Sequence, residues 1–467
     1  MPRAMSINGR PATTHATFDV VNPATGEVED KAPECTAEQL DEAMSSAAAA
    51  FSTWRKDDDS RREALRSLAD AVEKNHDELV RLLSLETGKP IPISTAEVSS
   101  VGPWLRYYAD LEFPRETIQD DESALIEVAH RPIGVVAAIT PWNGPVGLWS
   151  WKIAPAIRAG NTVVLKPSPF TPLSTLLLGE IGAEALPPGV VNIVTGGDDL
   201  GRAMTSHPAV GKISFTGSIS AGRSVAQAAA ADLKRVTLEL GGNDAAIILD
   251  DADLEKTVGT LLQFSFFNCG QICCIPKRIF APADRYEEIV DAFATGARSL
   301  TVGSPQEEST MMGPLTTGEQ YGRVKELVAD AIARGARVAA GGHPVDRPGY
   351  FFEPTVLADV AEGVRIVDEE QFGPAIPILS YTSVDEAIER ANNTKFGLSG
   401  SVWGRDIGRA TEVAEQLECG TAWINTHAIL PPYVPFSGAK HSGLGVANGA
   451  AGLLSFTEPQ VVHTARG

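Results

Sequence analysis

The chain has 467 residues, 43% of them apolar and 21% charged, the mixture of a soluble globular protein with length for about three domains. Its 43 glycines and 31 prolines are scattered as turn punctuation, which excludes collagen-like and low-complexity architectures. Lys and Arg number 39 against 60 Asp and Glu, a formal charge of −21. Neither a nucleic-acid backbone nor an anionic membrane attracts such a surface, so any anionic ligand must be gripped by a local device.

Residues Met1 to Arg10 contain no continuous apolar region, and no run of about 18 apolar residues occurs, so the chain reads as unexported. Its five cysteines, Cys35, Cys269, Cys273, Cys274 and Cys419, are sparse, odd in number and clustered. That pattern argues for a reducing, cytoplasmic setting in which thiol chemistry outranks disulfide stapling.

The first part of the chain carries helical signals. Thr36 with Gln39 forms a capping-box pattern ahead of Leu40, Ala43, Met44, Ala47, Ala48 and Phe51 at helical spacing. Ser60 with Glu63 is expected to start a second helix, with Leu65, Leu68 and Val72 on one face. A third runs from Asn75 through Leu79, Leu82 and Leu83, and Gly88 and Pro90 stop it. The polar stretch 113–133 reads as an extended excursion between domains.

From Gly134 the pattern changes to strands alternating with helices. The runs GVVAAIT (134–140), TVVLKPS (162–168), VVNIVTG (190–196), KISFTG (212–217) and RVTLEL (235–240) read as buried strands. LSTLLLGEIGAEA and SISAGRSVAQAAAAD read as helices between them. Such alternation predicts a doubly wound parallel sheet with ligands at the carboxyl ends of its strands. A second series follows Cys273, with RIF (278–280), PILSYT (377–382), SGSVW (399–403) and AWINT (422–426), so two α/β units stand in tandem.

Several motifs carry chemistry. FFNCGQICC (266–274) surrounds Cys273 with Asn268, Gly270 and Gln271, unusual company for a buried thiol. Glycine there permits a tight path that presents a side chain. LELGGND (238–244) places Glu239 at a strand end before two glycines, where a carboxylate reaches into a cleft as a general base. TPWNGP (140–145) places Asn143 after another strand, suited to donate to an oxyanion. FTGSISAG (215–222) offers a helix N-terminus to a phosphate. Taken singly, each has a plainer reading: a small core thiol, a solvated carboxylate, a turn residue, an ordinary strand-to-helix turn. The chain has no GxGxxG after a strand, no Walker lysine, no GxSxG and no HExxH, and no metal site is expected.

In order along the chain, TPWN, KPSPFTP, FTGS, LELGGND, NCGQIC, EEQFGP and PFSGAKHSG closely resemble the aldehyde dehydrogenase superfamily. The resemblance runs from VNPATGEV near the start to the terminal FTEPQVV. It implies an α/β fold with a Rossmann-type cofactor domain (1–112 and 133–240), a catalytic domain (241–440) and a small bridging β element (113–132 and 441–467). It also implies a non-acylating enzyme using NAD+ or NADP+, assembled as a homodimer or homotetramer.

Carried over by position, the family's nucleophile falls on Cys273, its glutamate on Glu239 and its oxyanion asparagine on Asn143. The cofactor would be lined by Thr140, Trp142, Lys166, Ser168, Pro169, Gly196, Phe215, Gly217, Ser218 and Leu240. Glu370 would hold the nicotinamide ribose, with Phe372 beside the ring. Around the nucleophile, Leu148, Trp151, Phe267, Ile272, Cys274 and Phe436 would line an apolar pocket containing no Arg or Lys, suited to aliphatic or aromatic aldehydes. Gly144, Gly147 and Leu430 belong to the same surroundings.

Two departures stand out. NAD-selective members often carry a carboxylate where this chain has Pro169, so repulsion of a 2′-phosphate is weaker. Val446–Ala447 replaces a common Arg-Glu pair, where a local structural difference is expected. Two other functions fit the same frame: a CoA-acylating dehydrogenase, and a non-catalytic binding or structural protein that would be expected to lose Cys273, Glu239 and Asn143.

Overall fold

A computed structural model describes residues 3–466; Met1, Pro2 and Gly467, at the outer ends of the expected segments, lie outside the described residues. Two mixed sheets dominate it. In the first, eight strands are ordered Gly443–Leu444, Arg235–Glu239, Val210–Thr216, Val135–Ile139, Thr162–Lys166, Val191–Ile193, Met5–Ile7 and Arg10–Ala12. The five from Arg235–Glu239 to Val191–Ile193 are parallel. Their β-branched runs are buried on both faces, as helix-covered parallel strands must be. The chain winds outward from Val135–Ile139 to Val191–Ile193 and then returns to Val210–Thr216 on the other side. The order therefore reverses between Val135–Ile139 and Val210–Thr216, which opens a crevice at their carboxyl ends.

The second sheet is ordered Arg337–Ala340, Thr355–Ala358, Ala375–Tyr381, Pro276–Pro282, Asp244–Ile248, Ser399–Trp403 and Thr421–Ile424. Asp244–Ile248 follows Arg235–Glu239 after four residues, so the carboxyl end of one sheet faces the amino end of the other. A buried apolar core lies on each sheet. The excursion forms Glu116–Asp120 and Ala124–Pro132, which pair with Thr457–Ala465 in a three-stranded antiparallel sheet. Residues 441–456, read from sequence as part of that element, do otherwise. Gly443–Leu444 pairs antiparallel with Arg235–Glu239, and the helix Gly449–Leu454 packs on the helix Pro145–Arg158.

Among the helices, Ala37–Trp54 starts with the reciprocal Thr36–Gln39 capping box, worth about 1 kcal/mol. The second helix begins earlier than Ser60. It spans Asp58–Lys74, and the Asp57 carboxylate accepts the Ser60 N–H at 3.0 Å. Asp outcompetes a downstream Ser because its oxygen reaches the N3 amide from the residue outside the helix. His76–Thr87 closes on Gly88 at φ 77°, where a Cβ would come within 2.6 Å of Pro314.

Candidate active site

Cys273 sits between the helix Leu254–Ser265 and the strand Pro276–Pro282. The link is tight: Asn268, Cys269 and Gly270 take φ of 50°, 57° and 73° in succession. At Gly270 a Cβ would lie 2.2 Å from the Gly373 carbonyl, so no other residue fits. Left-handed non-glycine residues cost about 1 kcal/mol each and persist only when braced. Asn268 and Gln271 supply the bracing. Asn268 donates to the Asn143 carbonyl at 3.1 Å, and Gln271 donates to the Asn268 carbonyl at 3.0 Å while accepting the Thr316 N–H at 2.9 Å.

The loop separates Cys273 from the other thiols. Burial pushes Cys35 and Cys419 up to about 12 and raises Cys269 further. Cys274, paired with Cys273, is raised well above the usual thiol range. Cys273 alone moves down, because the hydrogen bond from Cys274 and the nearby Lys277 ammonium outweigh burial. It is also partly exposed, whereas Cys274 is buried.

Glu239 and Asn143 come from the first sheet. Glu239 is 6% exposed, and neither carboxylate oxygen has a hydrogen-bond partner among the described residues. Burial, then the charge of Cys273, pushes its carboxyl well above the usual range, and Lys152 pulls it partly back. Asn143 donates to the Gln271 carbonyl at 2.9 Å, which brings its amide onto the loop that carries Cys273. One amide N–H remains for another acceptor.

The crevice of the first sheet holds the expected cofactor residues. Gly217 and Ser218 follow Val210–Thr216 and lead into the helix Ile219–Ala231, whose first turn offers free N–H groups. Ser218 also caps that helix, accepting the Ala221 N–H at 3.2 Å. A Cβ at Gly217 would strike the Phe215 ring at 2.6 Å, and one at Gly222 would strike Leu240 at 2.5 Å. The surface is thus cleared to backbone, as a pyrophosphate requires. On the adjacent strand ends, Thr140 donates its N–H to the Lys166 carbonyl at 3.1 Å. Burial pushes the Lys166 ammonium down to about 8. Ser168 and Gly196 are buried in the loops that follow the strands Thr162–Lys166 and Val191–Ile193, with Pro169 partly open. Across the gap, Phe372 meets Trp142 edge-to-face at 5.4 Å. Glu370 accepts the Gly242 N–H at 3.1 Å and pairs with Lys277 at 2.9 Å. These donors and bare backbone fit a dinucleotide.

Residues 10–462 match the Aldehyde dehydrogenase family. The chain belongs to that family. It is accordingly an NAD(P)-dependent aldehyde dehydrogenase. It is 39% identical to a putative aldehyde dehydrogenase DhaS of Bacillus subtilis, covering 98% of this chain and 95% of the relative. It is 43% identical to retinal dehydrogenase 2 of Mus musculus, covering 95% of this chain and 88% of the relative. The NAD+ complex of aldehyde dehydrogenase from Bacillus cereus superposes with a TM-score of 0.97 at 37% identity, covering 100% of this chain and 97% of that one.

In this aldehyde dehydrogenase an apolar cluster stands beside Cys273: Cys274, Leu398 and Phe436, with Trp151, Ile272, Trp423 and Leu430 against them. Ala447 exchanges both backbone hydrogen bonds with Phe436, at 2.7 and 2.8 Å, so the segment that departs from the family's Arg-Glu pair pins this wall. Leu148 packs at Gly144, outside the cluster. Phe267 is 39% exposed and is not part of that packed cluster.

Sequence reading missed Trp104, Trp423, Lys152 and Lys277. Trp104 stacks on Trp151 at 4.9 Å. Lys152 lies in an apolar helix face, WSWKIA, and Lys277 in an apolar strand; a lone cation in such a run was the available signal. Among the described residues no cluster of three or more His, Cys, Asp or Glu is placed to hold a metal ion, and no helix is long and apolar enough to cross a membrane.

Proposed function

We propose that the enzyme oxidises apolar aliphatic or aromatic aldehydes to carboxylic acids, with Cys273 as nucleophile, Asn143 as oxyanion donor and Glu239 as general base. The observation that carries this reading is the placement of Cys273: a partly open thiol on the braced loop that Asn143 joins through the Gln271 carbonyl, near enough to the buried Glu239 for its charge to raise that carboxyl. Its thiolate attacks the aldehyde carbon. The free Asn143 amide N–H and the Cys273 backbone N–H then stabilise the thiohemiacetal oxyanion. Bound NAD(P)+ supplies the hydride acceptor. Glu239, once deprotonated, takes a proton from water, and the resulting hydroxide resolves the Cys273 thioester to the acid.

Ser218, Lys166 and the first turn of Ile219–Ala231 would hold the phosphates and adenosine, and Glu370 the nicotinamide ribose. Pro169 brings no carboxylate toward the adenosine ribose, so both NAD+ and NADP+ are accepted cofactors in this reading. The aromatic wall of Trp151, Phe436 and Trp423 supports the apolar substrate class, and a relative named for retinal is in keeping with it.

The assembly is a homodimer or a dimer of dimers. Thr457–Ala465 is a nine-residue edge strand, with Val461 63% exposed, and Thr421–Ile424 is an unpaired edge of the second sheet. Long open edges call for a partner.

The test is NAD(P)H production across a panel of aldehydes, with and without CoA, by wild type and Cys273→Ala. Turnover without CoA that vanishes in Cys273→Ala is expected. Activity surviving in Cys273→Ala would overturn the nucleophile assignment, a CoA requirement would favour acylation, and succinic semialdehyde far outrunning benzaldehyde and hexanal would overturn the substrate class.

A further inference from the structure

We propose that Lys277 is a positioning residue that sets the reactivity of Cys273, and that Glu370 shares its charge, so the carboxylate that holds the cofactor's ribose also governs the nucleophile. The inference rests on the reading of Cys273 and Glu370 given above.

Lys277 lies four residues beyond Cys273 on the strand Pro276–Pro282, with a side chain 2% exposed. Its ammonium turns back toward the loop. It donates to the Cys273 carbonyl, to the Gly242 carbonyl at 3.0 Å and to Glu370 Oε1 at 2.9 Å. Three acceptors engage all three ammonium hydrogens, which fixes the charge in one place. Burial works against that charge, but Glu370, Asp244 and Cys273 outweigh it and hold the ammonium protonated.

The groups facing the Cys273 thiol come from every neighbouring element: Glu239 from the first sheet, Asp244 and Lys277 from the second, Glu370 from the loop 369–374, and Cys274 beside it. Lys152 and His427 stand one group further back, beside Glu239 and 3.8 Å from Asp244. Of the groups acting directly on the thiol, only Lys277 is cationic. Glu370 and Asp244 oppose a thiolate there, and one ammonium favours it. Ribose hydroxyls that hydrogen-bond to Glu370 would draw on the carboxylate that Lys277 and the Gly242 N–H share. More of the positive charge then falls on Cys273, so cofactor binding sharpens the nucleophile before an aldehyde arrives.

The experiment is the rate of Cys273 alkylation by iodoacetamide as a function of pH on the full chain, with the labelled residue assigned by mass spectrometry. Lys277→Met is expected to raise the midpoint by about one to two pH units. Glu370→Gln is expected to lower it and to abolish the drop that NAD+ produces in wild type. In the double variant, Glu370→Gln is expected to lower the midpoint by less than it does alone, because only its direct repulsion of the thiolate is then removed. An unmoved midpoint in Lys277→Met overturns the inference. Where circular dichroism shows that Lys277→Met does not fold, Glu370→Gln decides, and an unmoved midpoint there overturns it equally. Labelling that falls on another thiol, or alkylation of Cys273 that spares turnover, overturns the nucleophile reading itself.

Discussion

Asn143 Nδ2 donates to the carbonyl of Gln271 at 2.9 Å, across 128 residues of chain. The bond joins the crevice of the first sheet to the Cys273 loop of the second, and it leaves one amide hydrogen for the oxyanion in the proposed mechanism. Asn143→Ala is therefore expected to lower kcat by about 10²- to 10³-fold. Steady-state kinetics check this. Cys273 alkylation at near wild-type rate in the same variant would show that the loss lies in the oxyanion contact and not in a collapsed loop.

Glu239 must lose a proton to act as a base, and its carboxyl is held well above the ordinary range by burial and by Cys273. Where hydrolysis limits turnover, kcat is expected to climb with pH along a limb set by this group. Lys152 stands near enough to ease the deprotonation, its ammonium pushed down to about 7 by burial and bonded to Thr216 Oγ1 at 2.9 Å. Removing that cation by Lys152→Met should move the limb to higher pH. Glu239→Gln should keep a single burst of NAD(P)H while steady turnover fails. A limb that stays in place in Lys152→Met would contradict this coupling.

Glu86 governs stability instead. It is 1% exposed and accepts the N–H groups of Leu173 and Ser174 at 2.6 and 3.0 Å, capping the helix Leu173–Ala185 from a distant part of the chain. Burial is the largest influence and raises its carboxyl from 4.5 to about 7. The folded state thus binds this proton more tightly than the unfolded chain does. Its stabilising contribution is complete below pH 4.5 and is lost as pH rises through about 7, a change of about 3 kcal/mol. Glu86→Gln is expected to flatten that dependence in urea unfolding at the two ends of the range. Glu86→Ala, which strands two buried N–H groups, is expected to cost about 2 kcal/mol or more at every pH.

Trp104 backs the aromatic wall proposed to face the substrate. It stacks on Trp151 at 4.9 Å, and Trp151 meets Phe436 edge-to-face at 5.8 Å. Such aromatic pairs add about 0.5–1.5 kcal/mol each. Trp104→Leu is expected to raise KM for benzaldehyde several-fold while hexanal changes less and kcat holds. Equal effects on both aldehydes would remove Trp104 from substrate selection.

The sequence by itself determined what local chemistry controls. Alternating apolar runs predict the parallel strands because burial on both faces demands them, and the Thr36–Gln39 box and Gly88 mark helix ends through hydrogen bonds within a few residues. Motif order placed Cys273, Glu239 and Asn143 in one family frame. Even local signals competed, as Asp57 took the cap expected of Ser60. Only the tertiary structure decided which distant group meets each buried charge. Glu86 caps a helix 87 residues away, and Lys277 joins Glu370 across 93. Phe267 stays 39% exposed, outside the packed apolar cluster. Periodicity records which side of an element is buried. Partnership is set where separate elements cross, and that depends on how the two sheets face each other.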